Sequence, residues 1–220
     1  MHIISRAVYS LKGAIVKKYV HAVVCALCLT TAAHAQVMER PTYKVGDAWS
    51  YIVRDALTNL KTSDTHYKIA EVNADGYRVI GGTRSAPNIT WNTDGSAVLI
   101  NNETVDFEKP EMQWPLTVGK KWRTVSTYKR ADGITISRDY NVEVLAHEEV
   151  ETPAGKFMAF KVNTSGWHQY DKRNEINQNR GQLNRTQWWS PEVGRPVKVE
   201  MRDGGPQDRV ITVLQRFTRH

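Results

Sequence analysis

Short runs rich in Val, Ile, Thr, Tyr and Trp alternate with turn residues along most of this chain, which is a pattern of strands rather than helices. Residues 49–53 form the first run. In 65–72, His66, Lys68 and Ala70 point one way and Tyr67, Ile69 and Glu71 the other, the period of two that a half-buried strand requires. Asp75-Gly76 then turns the chain into 77–80, a short-range hairpin signal. A second hairpin is predicted from 89–92, a turn at Asp94-Gly95 and 97–100, and a third from 122–129, a turn at Asp132-Gly133 and 134–144. The runs 157–162, 187–190, 196–201 and 207–217 complete the series. No stretch carries the i, i+3, i+4 apolar spacing of a long helix. The acidic segment 101–113 is the best joint in the chain, with room for one short helix. The expected fold is all-β: a curved antiparallel sheet of about ten strands, arranged as a half-barrel, barrel or sandwich.

A Trp-anchored pattern occurs twice. Val45-Gly46-x-x-Trp49 is followed by Tyr67-x-Ile69, and Val118-Gly119-x-x-Trp122 by Tyr140-x-Val142, all at one offset of 73 residues. Glycine permits a positive φ in the turn that launches each strand. The Trp then buries a large ring as the strand's first core anchor, and the Tyr on the returning strand offers an aromatic cross-strand contact. Trp91-x-x-Asp-Gly and Trp189-x-x-Glu-Val-Gly extend the likeness loosely. Pseudo-repeats over 43–100 and 115–217 fit a duplicated β-meander; two independent hairpins with the same turn chemistry fit equally.

Residues 1–35 have the makeup of a secretory signal peptide. Arg6, Lys12, Lys17 and Lys18 form a basic region without an acid, 20–29 are mostly apolar, and Ala33-His34-Ala35 offers a cleavage site. The mature chain is then 36–220, a single β-rich domain. Both cysteines, Cys25 and Cys28, fall in the leader, so the mature part has neither thiol nor disulfide. The formal net charge drops from +7 to +3, which removes the main argument for nucleic-acid binding. An asymmetry remains: residues 36–150 are net −2 and 151–220 net +5. A mildly basic C-terminal face suits anionic headgroups or glycans, and also an ordinary solvated surface.

Catalytic motifs are lacking. No G-x-S-x-G, P-loop or G-x-G-x-x-G occurs, so no catalytic, cofactor or metal residues are assigned. His147, Glu149 and Glu151 share a strand face and make the one His/acid cluster, but no H-E-x-x-H or calcium loop accompanies it. The most unusual stretch is 167–189, where Trp167-His168-Gln169-Tyr170 leads into a basic, Asn-rich run and returns at Trp188-Trp189. Aromatics flanking Arg and Asn suit sugars and anionic headgroups, which makes Trp167, His168, Tyr170, Arg173, Arg180 and Trp188 the candidate ligand residues. A long polar hairpin loop with core Trp at its base would look the same.

Four segments, 115–122, 152–162, 188–198 and the last strand through Phe217, together resemble a group of exported Gram-negative β-proteins of uncharacterised role near the type IV pilus TapB-like group. The resemblance covers about 115–217 and rests on turn-and-core motifs. Where that group often has Trp-Tyr-Ser-Pro, this chain has Trp188-Trp189-Ser190-Pro191. It implies an exported β-fold and no catalytic residues. The expected protein is therefore a periplasmic or secreted binding or envelope-accessory protein without catalysis, released by cleavage near Ala35. It would take an apolar or amphipathic ligand or an envelope protein partner, with no nucleic acid and no transmembrane segment in the mature chain. The alternatives are an assembly or surface-interaction module of pilus or envelope biogenesis, and a cell-wall or glycan hydrolase.

Overall fold

Twelve antiparallel strands follow one another in a computed structural model that describes residues 36–171, 180–203 and 209–220. They are β1 (Ala48–Asp55), β2 (Lys61–Asn73), β3 (Gly76–Gly81), β4 (Ile89–Asn92), β5 (Ala97–Ile100), β6 (Glu103–Lys109), β7 (Lys121–Lys129), β8 (Thr135–Thr152), β9 (Gly155–Asp171), β10 (Arg180–Ser190), β11 (Arg195–Asp203) and β12 (Arg209–Thr218). Each strand pairs with its chain neighbours, and β1 pairs with β12 from Ala48↔Thr218 to Asp55↔Val210, so the sheet closes on itself. The closed twelve-stranded barrel corrects the expectation of about ten strands and narrows the half-barrel and sandwich alternatives. The extra strand is β6, where 101–113 was expected to be a connector or short helix. Val105 is buried and Phe107 half-buried while Thr104 and Asp106 are exposed, an alternation masked by the acids on the outer face.

An up-and-down order places every odd-to-even connection at one end of the barrel and every even-to-odd connection at the other. The second end, the base, is packed. Eight strands give a barrel that side chains alone just fill; twelve enclose more, and the base fills the excess with large rings and extra chain. Tyr43, Trp49, Tyr77 and Trp91 meet at centroid separations of 5.0–6.5 Å. Such ring pairs each contribute about 0.5–1.5 kcal/mol beyond the area they bury. Polar tips are satisfied there: Trp49 Nε1 donates to Val193 O (3.1 Å) and the Tyr43 hydroxyl to Gly194 O (2.8 Å). Strand β8, at 18 residues and ~3.3 Å per residue, is roughly 60 Å long. Its hairpin with β9 bends at a bulge between Val144 and Ala146. The tip then reaches across to β12, where Ala154 N donates to Leu214 O and Phe157 meets Phe217 edge-on at 5.8 Å. A second cluster forms where the lead-in bridges the β6–β7 connection through Met38↔Leu116. It unites Met38, Met112, Leu116, Trp122, Phe160 and Trp189.

The two Gly-Trp patterns start β1 and β7, six strands apart, and Trp91 and Trp189 lie six strands apart on β4 and β10. Gly46 and Gly119 both take positive φ (97° and 88°), and each donates its N–H to the returning strand, at Ile69 O and Val144 O. Trp49 and Trp122 are both buried, while Val45 and Val118 face solvent. The registers then diverge by two residues. Trp49 lies opposite Tyr67, whereas Trp122 lies opposite Val142 and Tyr140 opposite Thr124. The same motif Tyr therefore packs beside Tyr51 and Trp91 in one copy and away from its Trp in the other. The outer wall carries cross-strand ion pairs, Lys121–Glu143, Arg123–Asp139 and Lys129–Asp106.

Candidate functional site: the hollow of the barrel

Above the packed base the barrel is hollow. Residues of alternating position on seven strands, β5 to β11, enclose a cavity of about 300 Å³. Its two walls differ in chemistry. On β5 and β6 the wall is apolar: Ala97, Ile100, Val105 and Phe107. On β8 to β11 it is mostly polar: Arg138, Tyr140, His168, Tyr170, Arg185 and Asp203, with Ile136, Leu183 and Met201 among them. The cavity shares His168, Tyr170, Met201 and Asp203 with a second space of about 530 Å³. That space is bounded by the ends of strands: Arg54 and Asp55 of β1, Thr62 of β2, Arg180 and Gly181 of β10, Arg209 and Val210 of β12. It is the mouth.

His168 stands where the two spaces meet. It is buried, with Nδ1 3.5 Å from the Tyr140 hydroxyl and Nε2 3.5 Å from Asp203 Oδ1, and it meets the Tyr170 ring edge-on at 5.0 Å. Gly181 makes this placement possible: a Cβ there would lie 2.2 Å from His168 Nε2. Burial pushes the Tyr140 phenol up to about 12, with the charge of Arg138 opposing, so at neutral pH Tyr140 is a proton-bearing donor.

Not every charge around the hollow is paired. Glu111 is held by Arg185 Nη2 at 2.8 Å, and the Asp55 carboxylate by the Leu57 and Thr58 amides and the Thr58 hydroxyl. Arg138 has no carboxylate within ion-pairing distance among the described residues, and the same is true of Arg54, Arg180 and Arg209. The Arg138 guanidinium lies 4.9 Å from the Tyr128 ring centroid, and Arg209 Nε is buried without a hydrogen-bond partner. One more unpaired guanidinium lies toward the base. Arg195 stacks on Trp91 at 4.0 Å, with Trp49, Tyr67 and Trp189 within 6 Å. Its guanidinium is half-buried among these rings.

Of the residues expected from the 167–189 stretch, His168 and Tyr170 come together in the lumen, while Arg180 is exposed at the rim with its guanidinium over Trp167. Trp167 does not join them: neighbours on a strand point to opposite faces, and Trp167 is 52% exposed on the outer wall beneath Arg180 (5.6 Å). Trp188 is a core residue that donates to Glu148 Oε1 at 2.7 Å. Arg173 lies outside the described residues. Positions 167–171 and 180–187 are strand rather than loop. The cluster of His147, Glu149 and Glu151 contributes nothing to the hollow: His147 rests on the Phe160 ring at 4.4 Å, and Glu149 pairs with Lys156 at 3.4 Å. Arg138, Tyr140, Arg185, Asp203 and Arg209 were not anticipated as site residues. The available signal was phase, since Ile136, Arg138, Tyr140 and Val142 alternate along one face of β8.

No protein-family model and no curated protein matches the chain. Among solved structures, it is similar to a protein designated a lipoprotein from Parabacteroides distasonis ATCC 8503 (16% identity, TM-score 0.48, covering 82% of this chain and 99% of that one). It is also similar to an exported protein with a YmcC-like fold from Bacteroides fragilis NCTC 9343 (14%, 0.49, 84% and 100%). A third is the hypothetical lipoprotein YmcC from Escherichia coli K12 (8%, 0.41, 81% and 90%). Similarity of that degree transfers no residue role to this chain.

Proposed function

We propose that this is an exported binding protein of the cell envelope that holds a small amphipathic molecule inside its barrel and performs no chemistry on it. One observation carries this: a barrel filled to its base with aromatic rings is left hollow at the other end, behind a mouth. Ligand sites are concave, with few convergent polar groups on an apolar frame, and range over about 300–1,000 Å³; this hollow falls within that range. Export is supported by the basic and apolar stretches and the Ala-x-Ala of residues 1–35. Binding without catalysis is favoured because the lumen's carboxylates are engaged, Glu111 with Arg185 and Asp203 with His168. An assembly module that recruits a partner by adding a strand is disfavoured, because closure leaves each of the strands with two neighbours and no free edge.

Native mass spectrometry of the protein isolated from its own envelope fraction tests this. A small-molecule adduct is expected, and Leu183→Trp, which places a large ring in the cavity, is expected to abolish it while the barrel stays folded. A lumen empty in every preparation, with Leu183→Trp indistinguishable in ligand binding from the parent, overturns it.

A further inference from the structure

The geometry points to an amphipathic anion as the ligand: a carboxylate or phosphate monoester on a short hydrocarbon body, its acid group held by Arg138 and its body against the β5–β6 wall. This rests on the lumen being a binding site, as proposed above, and adds the charge, size and orientation of what it holds.

Charge comes first. Buried and half-buried cations are ordinarily paired, yet Arg138, half-buried in the lumen, has no carboxylate partner among the described residues. The acids that line the same spaces are engaged elsewhere: Glu111 with Arg185, Asp55 with its own turn, Asp203 facing His168. An incoming acid group therefore meets one unpaired guanidinium, a group that matches carboxylate and phosphate oxygens in bidentate fashion. The proton-bearing Tyr140 hydroxyl adds a neutral donor beside it.

The apolar side follows from the strand faces. Ile100, Val105 and Phe107 form one wall of the cavity, and Ile136 and Leu183 extend it. A sugar or a free phosphate would leave that wall unused. Size sets the limit: about 300 Å³, at the ~30 Å³ that a water molecule occupies in the liquid, holds roughly ten such units. A two-chain lipid does not fit; a single short chain does.

Isothermal titration of the exported protein with four probes of one chain length, decanoate, decyl phosphate, decanol and decylamine, tests this. Decanoate or decyl phosphate is expected to bind roughly tenfold to a hundredfold tighter than decanol, the range expected for charged hydrogen bonds, and decylamine not at all. Preference between the two acids tells carboxylate from phosphate. Arg138→Met is expected to bring the acid down to the affinity of decanol while decanol itself is unaffected, and Arg138→Lys to retain part of the preference. Decanol binding as tightly as the acids, decylamine binding best, or a preference for acid that survives Arg138→Met overturns the anion assignment and leaves the binding lumen standing. No binding by any of the four, with Leu183→Trp again indistinguishable from the parent, overturns both.

Discussion

The base and the mouth of this barrel are built by the same strands and obey opposite rules. At the base, inward positions carry Trp49, Tyr77, Trp91 and Leu214, each at most 8% exposed, and the polar tips of Trp49 and Tyr43 find carbonyl partners. Toward the mouth, the same kind of inward position on β8 to β11 carries Arg138, His168, Arg185 and Asp203 around open space. A sheet wide enough to enclose a hollow must be closed somewhere by bulk. The base supplies that bulk, which frees the other end to carry polar groups that a filled core would exclude. Stability and binding are thus separated along the barrel axis, and substitutions at the two ends should report on different properties.

The largest expected effect is at the base. Trp49→Ala should lower unfolding free energy by about 3–5 kcal/mol, since it removes a ring with no room to relax around the gap. Leu183→Ala, beside the existing hollow, should fall at the low end of the ~2–5 kcal/mol range for Leu→Ala, because its lumen side already lacks contacting atoms. Urea unfolding followed by tryptophan fluorescence measures both. Equal losses would erase the distinction between the two ends.

Alkaline pH sharpens it next. Burial raises the phenols of Tyr43 and Tyr51 at the base, against the charge of Arg195, and that of Tyr140 in the lumen to about 12. A raised folded-state value means that the neutral phenol is favoured in the fold. The associated stability is whole below the ordinary value of 10.0 and is lost as pH climbs from there through about 12. Unfolding midpoints across that window should fall, and Tyr140→Phe should remove part of the slope without changing stability at neutral pH by more than about 1 kcal/mol. A flat profile would show that these phenols reach water.

Gly181→Ala comes third. Its Cβ would stand 2.2 Å from His168 Nε2, and overpacking of that kind destabilises by about 1–3 kcal/mol. The imidazole should swing away from Asp203, which shifts the His168 proton signals in NMR spectra while those of the base rings stay in place. Unmoved His168 signals would place the imidazole elsewhere.

How far the residues announce all this differs between the two ends. Strands such as β2 and β7 are visible because β-branched and aromatic residues gather there between turn residues. Strand β6 hides because Glu103, Asp106 and Glu108 dominate its composition, although Val105 and Phe107 keep the phase. Closure of β1 on β12 is not visible, since Trp49↔Phe217 joins residues far apart in the chain and no local pattern encodes that pairing. At the site, His168 and Tyr170 are noticeable from their unusual neighbours. Arg138, Arg185 and Asp203 are not, because an inward polar residue of a hollow barrel has the same period as an outward residue of a filled one. Trp167 misleads for the complementary reason: a large ring suggests a core, and the register sets it on the outer wall.

The smallest expected effect asks whether charge or packing closes the base. Arg195 stacks on Trp91 at 4.0 Å and has Trp49, Tyr67 and Trp189 around it, with no carboxylate partner among the described residues. Cation–π stacking stabilises by about 0.5–2 kcal/mol. Set against it are the desolvation of the guanidinium and a buried Nε with no hydrogen-bond partner, a penalty of similar size. The two should nearly cancel. Arg195→Met, which keeps the long apolar stem against the rings, should therefore change unfolding free energy by less than about 1 kcal/mol in either direction. A loss above about 2 kcal/mol would show the cation to be the clasp of the aromatic base, and the division of labour between the two ends would then rest on charge at both.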